Sequence, residues 1–347
     1  MAAGRGRVVR ELLRALSDRD DPHTYRCYAR SRWDEPLDDR FSWKLLPAPD
    51  PMWHAGTAAL AGRECQAFLS TNSYLTVPLL RRPAVAVVYD LVTFERGMAA
   101  NRRSMIIERL TLGLAVRRAA GLICISHATS DALVARFPEA AGKCTVAALG
   151  VSPTLSAPSA RELDGLPPPG FVLAVGTLEP RKNLPRLVEA YAALPRPLQE
   201  SHPLVVVGSA GWQTGPTLNA LRSLGERCRP MGRVSDEALA ELYRRCAVFC
   251  YPSLGEGFGL PVLEAMAAGA AVVTSNASSL PEVGGDAVEY VDPHEPRDIA
   301  RALGELLDDA DLRSRLGQRA LERAAGFSWA SFADHVLRAL AHAADTE

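Results

Sequence analysis

Short runs of apolar and β-branched residues recur along this 347-residue chain, and stretches with helical spacing lie between them. The runs at 84–89 (AVAVVY), 122–125, 171–175, 204–207, 248–251, 271–274 and 288–291 are too short to be helices and show no polar alternation. Strands of that kind are buried on both faces, as in parallel sheets whose crossover helices cover both sides. The stretches at 102–118, 184–194, 236–245, 261–268, 296–307, 311–324 and 329–343 supply the helices. The pattern predicts an α/β fold, and the chain is long enough for two such domains. A Pro-, Ser- and Gly-rich segment at 152–170 (SPTLSAPSARELDGLPPPG) reads as the junction. We expect a first domain over 1–155, a linker over 156–168, a second domain over 169–326 and a terminal helix over 327–347 that packs back on the first domain. Two doubly wound domains facing each other would direct the carboxyl ends of both sheets at one cleft, where ligands bind.

Composition removes several functions. No apolar run approaches the roughly 18 residues that span a bilayer, and the start (MAAGRGRVVRELLRAL) lacks the apolar core of a signal peptide. The seven cysteines form no CxxC pair and the seven histidines no HxxxH or HxH cluster, so no metal is expected. Cys246 and Cys250 stand four apart but straddle a helix-to-strand junction. Scattered thiols suit a cytoplasmic protein. Residues 1–150 carry 21 basic and 15 acidic side chains, net +6, and residues 151–347 carry 18 and 25, net −7. That asymmetry supports two domains. Without basic clusters interleaved with aromatics it does not argue for nucleic acid.

Two stretches carry chemistry. In PSLGEGFGLPVLEAMAAG, 252–269, Glu256 and Glu264 flank a glycine turn, and Pro261 sits where the first helical turn tolerates proline. The N–H groups of Gly257, Phe258, Gly259 and Leu260 would then face the cleft as an anion site. Glu264, one turn into the helix, has two oxygens able to accept from a ribose diol. The bland alternative makes both glutamates surface acids at a helix start, stabilised by its dipole. In VLAVGTLEPRKNLPRLVEAYAAL, 172–194, a strand ends at Gly176 and Thr177, a short loop carries Arg181 and Lys182, and Asn183 can N-cap the next helix. Two adjacent cations there form a diphosphate clamp. Only three of the 39 basic residues are lysines, so Lys182 suggests a site that needs a compact, strongly hydrated ammonium. The alternative is a solvated pair on a loop.

Together these stretches resemble the retaining nucleotide-sugar glycosyltransferases of GT-B fold, most closely the mannosyltransferase-like group of glycosyltransferase family 4. The likeness runs from about residue 6 to the FSW at 327–329 and is strongest over 171–292. It implies two facing Rossmann-like domains with a deep cleft between them. It further implies that Arg181 and Lys182 hold the donor pyrophosphate, Glu264 the ribose and Glu256 the transferred sugar. The turn at 257–260 would give N–H groups to sugar and phosphate, and the backbone at Arg233 and Val234 would cradle the base. The implied reaction moves a hexose, GDP-mannose being the favoured donor, to a hydroxyl of a glycan, a lipid-linked or a natural-product acceptor. It needs no cofactor and no metal. Alternatives on the same scaffold are a hydrolysing epimerase, a phosphorylase or a non-catalytic binding module.

The acceptor side is less distinct. VAVVYDLVTF, 85–94, matches the place where many relatives carry His-Asp, but here the pair is Tyr89-Asp90. A phenol of pKa near 10 does not inherit a histidine's role. Tyr89 either hydrogen-bonds or packs at a strand end, and Asp90 either meets an acceptor hydroxyl or caps a turn. In ICISHATSDAL, 123–133, Ser126 and His127 would lead a loop into the cleft, or be structural. The start GRGRVVRELLRAL looks like the family's glycine loop and first helix without the opening strand, which is central in the first sheet. Either the start lies upstream or other segments, such as 41–46, rebuild the sheet. Finally, 101–121 mixes apolar residues with five arginines. It is either a membrane-surface face or a packed helix with a basic edge.

Overall fold

The computed structural model describes residues 4–33, 35–71, 73–91, 94, 102–153 and 165–345, with 102–104 described by backbone alone. Its backbone separates into two compact units, residues 1–150 with 328–347, and residues 151–327. Of the expected linker, 156–164 lies outside the described residues.

The first unit contains α1 (Arg5–Ser17), β1 (Tyr25–Ala29), β2 (Phe41–Leu45), α2 (Met52–Glu64), β3 (Phe68–Ser70), β4 (Ala84–Val88), α3 (Arg102–Arg118), β5 (Gly121–Cys124), α4 (His127–Arg136) and β6 (Cys144–Val146). Strands β3, β4, β5 and β6 pair in that order, all parallel, and β1 pairs with β2 in a separate parallel sheet. The segment at 41–46 does form a strand, but its partner is β1, so it does not rebuild the main sheet. Strand β4 is buried at every position, as its unbroken apolar run requires.

The second unit contains β7 (Val172–Val175), α5 (Leu184–Ala192), α6 (Arg196–Ser201), β8 (Leu204–Val207), α7 (Gly215–Ser223), β9 (Cys228–Gly232), α8 (Asp236–Arg245), β10 (Val248–Tyr251), α9 (Leu260–Ala267), β11 (Ala271–Ser275), α10 (Leu280–Gly284), β12 (Glu289–Val291), α11 (Pro296–Asp308) and α12 (Ala310–Ala324). The last helix, α13 (Trp329–Asp345), packs on α1 and the four-stranded sheet of the first unit. The second unit's six strands are parallel in the order β12-β11-β10-β7-β8-β9. After β7 the chain winds outward through β8 and β9, then returns to the other side of β7 with β10. The reversal falls between β7 and β10, and at such a switch point the two loops part and leave a crevice.

Helix packing follows the sequence period. Helix α11 buries Ile299, Ala302, Leu303, Leu306 and Leu307, spaced three and four apart, against the sheet. Each large aliphatic among them contributes about 1.5–3 kcal/mol by leaving water.

Candidate active site

The loops after β7 and β10 meet at the switch point. Leu254 N donates to Arg181 O at 2.8 Å, which ties the first loop to the second. The first loop leaves β7 through Gly176, whose φ of +150° lies outside what a side chain favours. A Cβ there would stand 3.3 Å from Lys182 Cε, so the bare glycine makes room for the lysine stem. Thr177 follows, half-buried. A 3-10 turn, Pro180–Lys182, then presents the two cations. Asn183 does not cap α5 with its side chain as expected, because its own φ of +58° points it elsewhere. Its Nδ2 donates to Pro252 O at 3.0 Å and to Pro293 O at 2.6 Å, strapping three loops together.

Arg181, Lys182 and Glu256 converge. Glu256 Oε1 accepts from Lys182 Nζ at 2.7 Å, Ser253 Oγ at 2.6 Å and Tyr251 Oη at 2.8 Å. Glu256 Oε2 accepts from Arg181 Nη1. Arg181 also donates to Gly255 O at 2.9 Å, and through Nε and Nη2 to Glu179 Oε1 at 3.1 and 2.7 Å. The Lys182 ammonium donates to the Tyr251 hydroxyl and lies 4.9 Å from that ring's centre. Side-chain exposure is 20% for Arg181, 10% for Lys182 and 9% for Glu256, so the pairs act at reduced dielectric. Two cations face two carboxylates, and the cluster is close to neutral.

Titration follows from that surrounding. Burial pushes Glu256 up, but the Lys182 and Arg181 charges and the donated hydrogen bonds outweigh it and hold the carboxyl down to about 2. Burial pulls Lys182 down, opposed by Glu256 and reinforced by the Arg181 charge. Arg181 is raised although burial acts against it, because Glu256, Tyr251 and Glu179 surround it. Burial, then the Glu256 charge, lifts the Tyr251 phenol well above its ordinary range.

The other donor-side residues are placed differently. Gly257, Phe258 and Gly259 are buried rather than lining open space, and Leu260 is half-buried. Gly259 has φ +108°, and a Cβ there would meet Leu280 Cδ2 at 2.7 Å, so only glycine makes this turn into α9. The Phe258 ring packs edge-on to Phe327, which explains the burial of the bend. Glu264 is 3% exposed, and its Oε2 accepts from Tyr243 Oη at 3.0 Å. A carboxylate expected to face a ribose is thus inside the unit. Arg233 is exposed and Val234 half-buried, in the loop after β9. A small pocket beside Lys182 and Tyr251 is lined also by Gly176, Leu184, Cys250 and Pro252.

In the first unit, Tyr89 is 6% exposed at the end of β4, and its hydroxyl has no partner among the described residues. The Arg5 guanidinium lies over its ring at 5.5 Å. Asp90 is half-buried next to it. Ser126 does not lead an open loop. It is the N-cap of α4, its Oγ accepting from Thr129 N at 3.0 Å. His127 is the first residue of that helix and exposed. Sequence reasoning missed Glu179, Tyr251 and Ser253. All three lie inside the quoted stretches or at their edge, but nothing in spacing alone shows that their side chains turn to one carboxylate.

Residues 163–323 match the family model described as Glycosyl transferases group 1. Over 163 residues the chain is 43% identical to the O-antigen chain mannosyltransferase B of Escherichia coli, covering 46% of this chain and 42% of that protein. The chain therefore spans less than half the length of that relative. Along 95% of its length it is 28% identical to the MMP alpha-(1->4)-mannosyltransferase of Mycolicibacterium hassiacum, covering 92% of that protein. In three dimensions it matches sucrose-phosphate synthase from Thermosynechococcus elongatus with a TM-score of 0.78 and 22% identity, covering 97% of this chain and 92% of that one. That likeness extends over both units and establishes the GT-B fold.

Proposed function

We propose that the chain is a retaining glycosyltransferase, because residues 163–323 match the glycosyl transferases group 1 model. It moves a hexose from a nucleoside-diphosphate sugar to an acceptor hydroxyl. The observation that carries this reading is the meeting of Arg181, Lys182 and Glu256 at the carboxyl ends of two adjacent strands, at the switch point of the sheet. When the anomeric bond breaks, negative charge grows on the departing diphosphate. Preorganised cations in a water-poor site lower that barrier directly. Arg181 and Lys182 are those cations, so the reading requires no divalent ion. In a front-face displacement the acceptor oxygen bonds to the anomeric carbon, the carbon–phosphate oxygen bond breaks, and the acceptor proton passes to the leaving phosphate oxygen. Glu256 then contacts the sugar and Glu264 the ribose, the latter after a turn away from Tyr243. Because two of the relatives are named as mannosyltransferases, GDP-mannose is the first donor to try.

The acceptor is a glycan, a lipid-linked sugar or a natural product. A lipid-linked acceptor is favoured by α3, where Ile106, Ile107, Leu110 and Leu114 are 48–65% exposed beside Arg117 and Arg118. No helix among the described residues is long and apolar enough to cross a membrane, so contact would be peripheral. Cosedimentation with anionic vesicles, lost in Leu110→Glu, tests it.

A thermal-shift screen of nucleoside diphosphates and their sugars tests the donor reading. A specific ligand at a hundred times its Kd adds about 3 kcal/mol of stability. Slow release of free nucleotide without acceptor, faster with it, supports transfer. No shift and no release with any nucleotide sugar would overturn it in favour of a binding module.

A further inference from the structure

Glu256 is held by two kinds of donor. Lys182 and Arg181 are charged, and a diphosphate would compete for both. Tyr251 and Ser253 are neutral hydroxyls that a diphosphate attracts far less strongly, and both donate to the same oxygen, Oε1, at 2.8 and 2.6 Å. If the cations alone held the carboxylate, binding of a donor would set it loose as they turned to phosphate. We propose that Tyr251 and Ser253 are positioning residues that keep Glu256 seated while the cations are exchanged from it to the donor phosphates. This rests on the transferase reading given above.

Several features support the assignment. Tyr251 is 3% exposed at the last position of β10, so its ring is fixed by the sheet. Ser253 is fully buried and fixed from both sides. Arg181 O, at 3.0 Å from its Oγ, is an alternative acceptor for the one hydroxyl proton, and the Ser253 carbonyl accepts from Ser275 Oγ at 2.6 Å. The backbone of Glu256 is pinned as well. Its N–H donates to Ser278 Oγ at 2.8 Å, and its carbonyl accepts from Ser279 Oγ at 2.9 Å. The hydroxyls therefore stand on buried backbone whose place does not depend on the Arg181 or Lys182 side-chain charges. Tyr251 adds a second contact, since its hydroxyl accepts from Lys182. It marks the point from which the ammonium departs.

Tyr251→Phe removes the hydroxyl and keeps the ring under Lys182. The expected result is a split. Nucleoside diphosphate affinity, read by calorimetric titration, stays within about twofold, while kcat falls about tenfold, the scale of one lost hydrogen bond to a charged group. The acid limb of the kcat profile moves to higher pH, because the carboxylate has lost a donor to its charged form. Ser253→Ala should give the same split, and it serves if the tyrosine variant misfolds. Affinity and kcat falling together with the acid limb unmoved would mean that the hydroxyls merely hold the fold, and would overturn the inference. So would a kcat unchanged in both variants. If the parent chain binds no nucleoside diphosphate, the transferase reading fails and takes this inference with it; retained binding without the split sinks the inference alone.

Discussion

Two tyrosines stand at the ends of buried parallel strands, one in each unit, and they are used in opposite ways. Tyr251 closes β10, and its hydroxyl both accepts from Lys182 and donates to Glu256. Tyr89 follows β4, and its hydroxyl is buried without a partner among the described residues. Burial raises both phenols, but at Tyr251 the carboxylate of Glu256 adds to it, while at Tyr89 the Arg5 charge opposes it. A buried hydroxyl inside a network is satisfied and rigid, whereas an orphaned one costs about 1–3 kcal/mol. The second unit is thus a finished electrostatic site. The first unit's four candidates divide into a cap, an exposed histidine, a half-buried aspartate and an orphan.

The largest effect expected from that contrast is at Lys182. At about 4 Å and an effective dielectric near 20, a cation–phosphate contact is worth about 4 kcal/mol before desolvation. Lys182→Ala should abolish the thermal shift given by a nucleoside diphosphate and lower kcat/KM at least a hundredfold. An unchanged shift would remove Lys182 from the site and leave the cluster a structural ion pair.

Next is the acid behaviour of Glu256. Its pKa is depressed from 4.5 to about 2, so it contributes stability at pH values above the ordinary carboxylate range. That contribution is lost as the pH falls through about 2, and it amounts to about 3 kcal/mol. Between pH 5 and pH 2 the parent protein should lose about that much more stability than Glu256→Gln in urea titrations. Parallel losses would mean that the carboxylate is not held by the cations.

Much of this was legible in the sequence. Helices α3 and α8 and strands β8 and β10 lie where the pattern places them, because unbroken apolar runs and amphipathic periods report burial directly. Strand β9 was not legible, since it lies at the sheet edge with Cys228 its one buried residue and contains Pro230. Helix α2 was not either, its apolar residues being too evenly spread to mark a face. At the site, Arg181, Lys182 and Glu256 could be named from motif spacing, but Glu179 could not be recognised. A glutamate two residues before an arginine reads as an ordinary loop charge until the turn brings it onto the guanidinium. Ser126 shows the reverse failure. Serine before a helix is ambiguous between cap and functional loop, and here it caps.

Ser126→Ala therefore tests whether the first unit's serine has any task beyond that cap. The expected cost is about 1 kcal/mol of stability, with transfer kinetics unchanged. A fall in kcat/KM with stability intact would give it a place beside an acceptor.

The smallest effect falls on Tyr89, and it bears most directly on the contrast of the two tyrosines. Removing a hydroxyl that is already unpaired takes away a desolvated dipole and no bond, so Tyr89→Phe should leave stability unchanged or raise it by up to about 1 kcal/mol. The same change at Tyr251 strips a donor from a charged carboxylate and should be destabilising. Matched urea titrations of the two variants read the difference. A loss above about 1 kcal/mol in Tyr89→Phe would mean that its hydroxyl has a partner after all. The two strand ends would then be alike.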